Sequence, residues 1–374
     1  MHEYIIGKSG TGKTTFLQNL ILQNEGGFAV LDPHGDLAET IADTVECIYF
    51  DPTELPIAHN VLHNVPERQR HLVTAQVVAS FRAIWADSWG HRLEWILYNS
   101  VRLLLDNNQT LLDIPAVLTD TAYRTRCLKR ATHRKFWDNE FAEWDSRYRN
   151  EAIAPVLNKV GQLVADPNLR QTLGQQRSTL NIERIMNKGQ RLVVNLSKGK
   201  LGETPSSLLG SLIISAFSHA AEMRANIPYE DRVPFTIYID EFASFATDDF
   251  ATILSESRKW KLSLVLAHQF LGQVPPLLRQ AVFGNVRKMV AFRLGAEDAP
   301  LIAAELGLGS PSVLTDLDNF EAWTRVGGPY NSEFIRTPPP RPTRGHLEAA
   351  KRFTRASYCR PKFRVEAEVG RFVR

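Results

Sequence analysis

Cysteine is scarce and scattered in this sequence. Cys47, Cys127 and Cys359 lie far apart without CxxC spacing. That excludes a disulfide framework and a zinc site, and fits a reduced, cytoplasmic compartment. No run of about 18 apolar residues occurs, so no intrinsic membrane span is expected. No signal peptide precedes the first apolar stretch, and any place at an inner membrane would be peripheral, through partners. Internal repeats are also missing, which removes solenoids and propellers. With 44% hydrophobic and 23% charged residues in 374, neither disorder nor low complexity fits, and at least one large core can form. The net charge of +3 is too small to argue for nucleic acid by itself.

The distribution of that charge says more. From Arg341 onward, ten Lys and Arg stand against three Glu, a balance of +7 that leaves −4 for everything before it. A slightly acidic body therefore ends in a basic tail, 337–374, opened by Pro338, Pro339, Pro340 and Pro342. Glu3-Tyr4-Ile5-Ile6 reads as a strand, and Phe16, Leu17, Leu20 and Ile21 then recur at helical spacing. Further strands are expected at 28–31, 46–50, 191–196, 235–239, 263–267, 289–292 and 321–326. Helical periodicity dominates from about 67 to 178, where five of the seven tryptophans (Trp85, Trp89, Trp95, Trp137, Trp144) fall and are expected to form a core. The resulting expectation is an α/β protein: a core in two parts, 1–66 and 179–336, with a mostly parallel sheet, an all-α insertion at 67–178, and the tail.

Gly7-Lys8-Ser9-Gly10-Thr11-Gly12-Lys13-Thr14 matches GxxxxGK[ST] at every fixed position, directly after a strand and opening a helix. Glycines let backbone N–H groups curl around phosphates, and the helix N-terminus favours negative charge. Lys13 can reach the β- and γ-phosphates of ATP and Thr14 can ligate Mg²⁺; Thr15 completes the nucleotide-binding set. Such a loop calls for an apolar strand ending in an acid. Phe235-Thr236-Ile237-Tyr238-Ile239-Asp240-Glu241 supplies it, with Asp240 as Mg²⁺ ligand and Glu241 to polarise the attacking water. The plainer alternative is two acids favoured at a helix start. The strand at 262–267 ends in His268-Gln269, where the amide either contacts the γ-phosphate region or bonds its own backbone.

Taken together, these residues resemble the HerA/FtsK superfamily of DNA-pumping ATPases and, within it, type IV secretion coupling proteins of the TraG/TraD kind. Four stretches carry the resemblance: the P-loop; Leu31-Asp32-Pro33-His34-Gly35-Asp36-Leu37, similar to the family's DP-x-G-[DE]; Asp240-Glu241-Phe242; and Ser257-Arg258-Lys259-Trp260 running into Ala267-His268-Gln269. It implies a RecA-like core with an inserted all-α domain. Gln269 matches the sensor glutamine, and Arg258 the arginine that reaches a neighbouring subunit's nucleotide, with Arg293 a second choice for that role. It further implies a homo-oligomeric ring, a hexamer, that hydrolyses ATP to move DNA, with relaxase and secretion-channel proteins as partners. A HerA-like translocase in repair or defence and a nucleotide-switched protein adaptor are the alternatives. One departure stands out: coupling proteins usually carry N-terminal transmembrane helices and HerA proteins a β-barrel, whereas six residues precede this P-loop.

Two basic regions are candidates for DNA phosphates. One is Arg124, Arg126, Lys129, Arg130, Arg134 and Lys135 in the insertion. The other is the tail, where Phe353, Tyr358 and Phe363 interleave with the cations. The plainer reading of each is a solvated face.

Overall fold

A computed structural model describes residues 1–247, 249–328 and 331–372, with Asp249 as backbone only. The last two residues of the basic tail lie outside the described residues. The chain divides into two compact units: 1–50 with 182–200 and 217–353, and 51–181 with 201–216 and 354–374.

The first unit carries the sheet. Its strands are β1 (His2–Ile6), β2 (Gly27–Asp32), β3 (Ile48–Phe50), β4 (Arg191–Asn195), β5 (Phe235–Ile239), β6 (Leu262–His268), β7 (Val286–Ala291), β8 (Glu321–Val326) and β9 (Ser332–Arg336). They lie in the order β3-β4-β2-β5-β6-β1-β7-β8-β9, parallel from β3 to β7, with β8 and β9 antiparallel at one edge. Strands covered on both faces bury every position, so they read as continuous apolar runs, as β2 does. This is the RecA-type P-loop fold expected from the sequence.

Parallel pairing brings the carboxyl ends of the central strands to one edge. Ile6 of β1 pairs with His268 of β6 and Ala291 of β7, and Ile239 of β5 pairs with Leu266. Helix α1 (Lys13–Leu22) leaves that edge after β1, and α2 (Asp36–Thr44) after β2.

The second unit is helical from Glu67 to Leu173 among the described residues. Aspartates begin three of its helices: Asp120, Asp145 and Asp166 each accept two backbone N–H bonds from the first turn that follows. Of the five tryptophans expected in its core, only Trp137 is buried; Trp95 is exposed and stacks on Tyr98. Branched and straight aliphatics such as Ile96, Val101 and Leu104 fill the core instead. The stretch 337–374 also differs from a tail. It holds the helices Leu347–Tyr358 and Lys362–Val369, and the carboxylate of Asp43 accepts the Gly345 and Leu347 N–H groups at the first of them.

One buried cation ties the opposite edge of the sheet together. Arg224 is 0% exposed and donates to Asn187 Oδ1 and to the carbonyls of Val233 and Trp260, each at 2.9 Å. Burial lowers its guanidinium to about 10. Losing a charged donor leaves these part-buried acceptors without it. Arg224→Ala is therefore expected to lower the free energy of unfolding by about 2–4 kcal/mol in urea denaturation; a loss below about 0.5 kcal/mol, the scale of a surface change, would contradict this role.

Candidate nucleotide site

The P-loop is shaped by close backbone approaches. The Lys8 N–H donates to the Arg293 carbonyl at 2.9 Å, and a Cβ on Gly7 would come within 2.5 Å of Phe292 Cβ, so only glycine fits there. Gly12 sits at φ +107, immediately before Lys13 opens α1. Within the loop, Thr11 Oγ1 donates to the Lys8 carbonyl at 2.7 Å and Lys13 Nζ donates to the same carbonyl at 3.0 Å. Lys8, Ser9, Gly10 and Thr14 are exposed, while Lys13 is buried. The loop thus offers backbone N–H groups, an ammonium and the Thr14 hydroxyl at a helix N-terminus, the combination an oligophosphate needs.

The acids gather on the same edge. Asp240 follows β5 directly and is 5% exposed; Glu241 beside it is buried and holds a left-handed backbone, φ 46. A non-glycine residue in that region is strained, and such strain collects at functional sites. Burial, then the charges of Asp32 and Glu241, pushes the Asp240 carboxyl up to about 7, while Lys13 and the Glu241 N–H pull it down. Lys13 feels the converse: burial lowers its pKa and Glu241 and Asp240 oppose that. These mutual effects bring Lys13, Asp32, Asp240 and Glu241 into one electrostatic neighbourhood. Asp32 had no role assigned from the sequence. Its carboxylate accepts from the N–H groups of His34, Gly35 and Ala38, which makes the Asp-Pro-x-Gly stretch a cap for α2 and places a fixed negative charge near Asp240. Hard oxygen donors, the Thr14 hydroxyl and the Asp240 carboxylate, fit Mg²⁺.

The side-chain amide at the tip of β6 reaches outside its own loop. Because Ile6 pairs with His268, Gln269 falls level with the P-loop, and Ser9 Oγ donates to Gln269 Oε1 at 2.9 Å. His268 itself belongs to the core: it is 0% exposed, hydrogen-bonded to the Tyr4 hydroxyl and edge-on to Phe242, and burial lowers its pKa to about 4.

Arg258 is placed elsewhere. It lies exposed in the turn Ser257–Trp260 before β6, where its charge adds to burial in lowering the pKa of the Met1 amine and of His2. This is the amino-terminal edge of β1, one strand of five residues, or about 16 Å, from the P-loop edge. Arg258 cannot serve its own chain's loop. Arg293 stands beside the P-loop in the same chain, its guanidinium donating to the Leu317 carbonyl and to Asn319 Oδ1. The basic cluster of the insertion is only partly free. Arg124 is buried against the Val117 and Leu118 carbonyls and over the Phe141 ring, and Arg134 pairs with Asp138, whereas Lys129 and Arg130 are exposed.

No family model matches the chain, and no curated protein matches it by sequence. Solved structures match it in fold. The bacterial conjugative coupling protein TrwBdeltaN70, in a trigonal form with sulphate, gives a TM-score of 0.68 at 16% identity, covering 92% of this chain and 86% of that one. TrwB with ADP and Mg²⁺ gives 0.67 at 15% identity over the same shares. VirB4 of Thermoanaerobacter pseudethanolicus gives 0.59 at 12% identity, covering 90% and 89%. The resemblance seen in the motifs to coupling proteins is thus met at the level of the fold.

The raised Asp240 pKa has a measurable consequence. Folding takes this carboxyl from 3.8 to about 7. The folded state therefore keeps a proton that the unfolded chain releases, and stability falls as pH rises between those values. Asp240→Asn removes that cost. Without Mg²⁺ and nucleotide the variant is expected to melt several degrees above wild type at pH 8, the gap shrinking toward pH 5. A gap independent of pH, measured by calorimetry, would contradict the perturbed carboxyl.

Proposed function

We propose that this protein is an ATP-driven DNA translocase acting as a ring, in the manner of a coupling protein for conjugative transfer. The observation that carries the proposal is the convergence of Lys13, Asp240, Glu241 and the Ser9–Gln269 pair at one sheet edge. The fold shared with the conjugative coupling protein TrwB supports the choice among motors.

In this reading the P-loop N–H groups and Lys13 hold the β- and γ-phosphates, and Thr14 and Asp240 hold Mg²⁺. Bound there, Mg²⁺ neutralises charge on the phosphate oxygens. Glu241 accepts a hydrogen bond from the water whose oxygen attacks the γ-phosphorus, and takes its proton as the bond to the β–γ bridging oxygen breaks. The strained backbone of Glu241 fixes that carboxylate before substrate arrives. Gln269, bonded to Ser9 of the P-loop, links phosphate occupancy to the segment that follows β6. Arg258, remote from its own P-loop, is free to act on a neighbour's.

The reading predicts that the purified chain hydrolyses ATP, that single- or double-stranded DNA raises the rate severalfold, and that Lys13→Ala abolishes both. A steady-state ATPase assay, run beside light scattering for the mass in solution, checks this. A rate indifferent to DNA would favour the protein-adaptor alternative.

The ring itself predicts complementation. Arg258→Ala should lose on the order of 10³-fold or more in turnover while keeping ATP affinity. Co-expressed with Lys13→Ala it should regain activity, because some interfaces then pair an intact P-loop with an intact Arg258. Wild-type turnover by Arg258→Ala alone would remove the arginine from the mechanism.

A further inference from the structure

Sheet order gives the P-loop two unlike flanks. On one side β6 and β5 carry Gln269, Asp240 and Glu241; on the other lie β7 and β8. Because β8 runs antiparallel to β7, its first residue stands at the P-loop edge. Phe320 comes immediately before it.

Several features set Phe320 apart. Its φ is +68, a left-handed conformation uncommon for a bulky residue. The backbone is pinned from both sides: its N–H donates to the Thr11 carbonyl at 2.8 Å, and its carbonyl accepts from the Thr337 N–H at 2.7 Å. The residue lies directly against Gly12, since a Cβ there would meet Phe320 Cδ1 at 2.8 Å and its Cα at 3.1 Å. Yet Phe320 remains 44% exposed. An aromatic ring is thus held beside the phosphate loop, in a strained backbone, without being buried.

A triphosphate whose terminal phosphate faces Asp240, Glu241 and Gln269 sends its nucleoside the opposite way, toward β7 and β8. We propose that Phe320 is the platform on which the nucleobase stacks, an inference that rests on the P-loop reading above. Recognition through a ring face is tolerant of base identity, because every base has a π-face.

The test compares two ligands in their Mg²⁺ forms, ATP and inorganic tripolyphosphate, by calorimetric titration. Phe320→Ala should bind ATP about tenfold more weakly and tripolyphosphate as wild type does, while Phe320→Trp keeps ATP affinity. Phe320→Gly relieves the left-handed backbone and should still lose ATP as the alanine variant does. Equal ATP affinity in wild type and Phe320→Ala overturns the proposal. So does equal loss of both ligands, which would make the residue a brace for Gly12, or wild-type binding by Phe320→Gly. If the wild-type chain binds neither ligand, the P-loop reading itself fails and takes this proposal with it.

Discussion

The parallel pairing of β5, β6, β1 and β7 is the constraint on which the site depends. Each strand contributes little chemistry along its length, since nearly all of its side chains are buried in the core. What matters is where each strand stops. With Ile6 opposite His268 and Ala291, and Ile239 opposite Leu266, the P-loop, the acid pair and Gln269 emerge at one level. A slip of one residue in any of these pairings would turn the terminal side chains to the other face of the sheet. Close packing at the strand ends guards against such a slip. The Phe292 N–H donates to the Ile6 carbonyl and the Asp240 N–H to the Leu31 carbonyl, each carrying the ladder one residue past its strand.

The site so assembled is not at rest electrostatically. Three carboxylates, Asp32, Asp240 and Glu241, share a region from which water is largely excluded, with Lys13 the cation that opposes them. Asp32 accepts from three backbone donors, while Asp240 accepts from the Glu241 N–H at 3.1 Å; burial, then the charges of Asp32 and Glu241, raises the Asp240 pKa. Glu241 adds backbone strain to the same few residues. An apolar core would have been more stable. Local cost concentrated at one strand tip suits a site that takes a divalent cation and a polyanion, because those ligands bring charges that the carboxylates and Lys13 alone do not balance.

Much of this was legible in the sequence because local signals and tertiary outcome agree. The P-loop spacing, the apolar run into Asp240-Glu241 and the alternation of strands and helices need no partner elsewhere in the chain to be read. What escaped reading depends on distant contacts. β9 has an exposed, polar pattern and is a strand only because β8 pairs with it. The tail reads as a charge run, yet Asp43, some 300 residues earlier, supplies the carboxylate that begins its first helix. Arg124 looked like one of six equivalent cations, and only folding shows it spent on two carbonyls and an aromatic face. Phe320 carried no signal at all: its φ and its place against Gly12 exist only once β7 and β8 are paired.

The two edges of the sheet also bear on assembly. Phosphate chemistry of the kind read here needs positive charge on the γ-phosphate as its bonds to oxygen rearrange. On the P-loop edge this chain offers Lys13, held by the Lys8 carbonyl, the exposed Lys8 itself, and Arg293, whose guanidinium is already bonded to Leu317 and Asn319. Arg258 is exposed and outside the salt bridges of the described residues, but it sits at the other end of β6. No side-chain rotation spans a strand, so within one subunit the two cannot meet. They can meet only if the amino-terminal edge of one sheet packs against the carboxyl-terminal edge of the next. Such a contact uses two different surfaces, is head-to-tail, and must either close into a ring or grow into a filament. Under the proposed function, then, the position of Arg258 does more than nominate a catalytic group: it selects the kind of symmetry an active assembly must have.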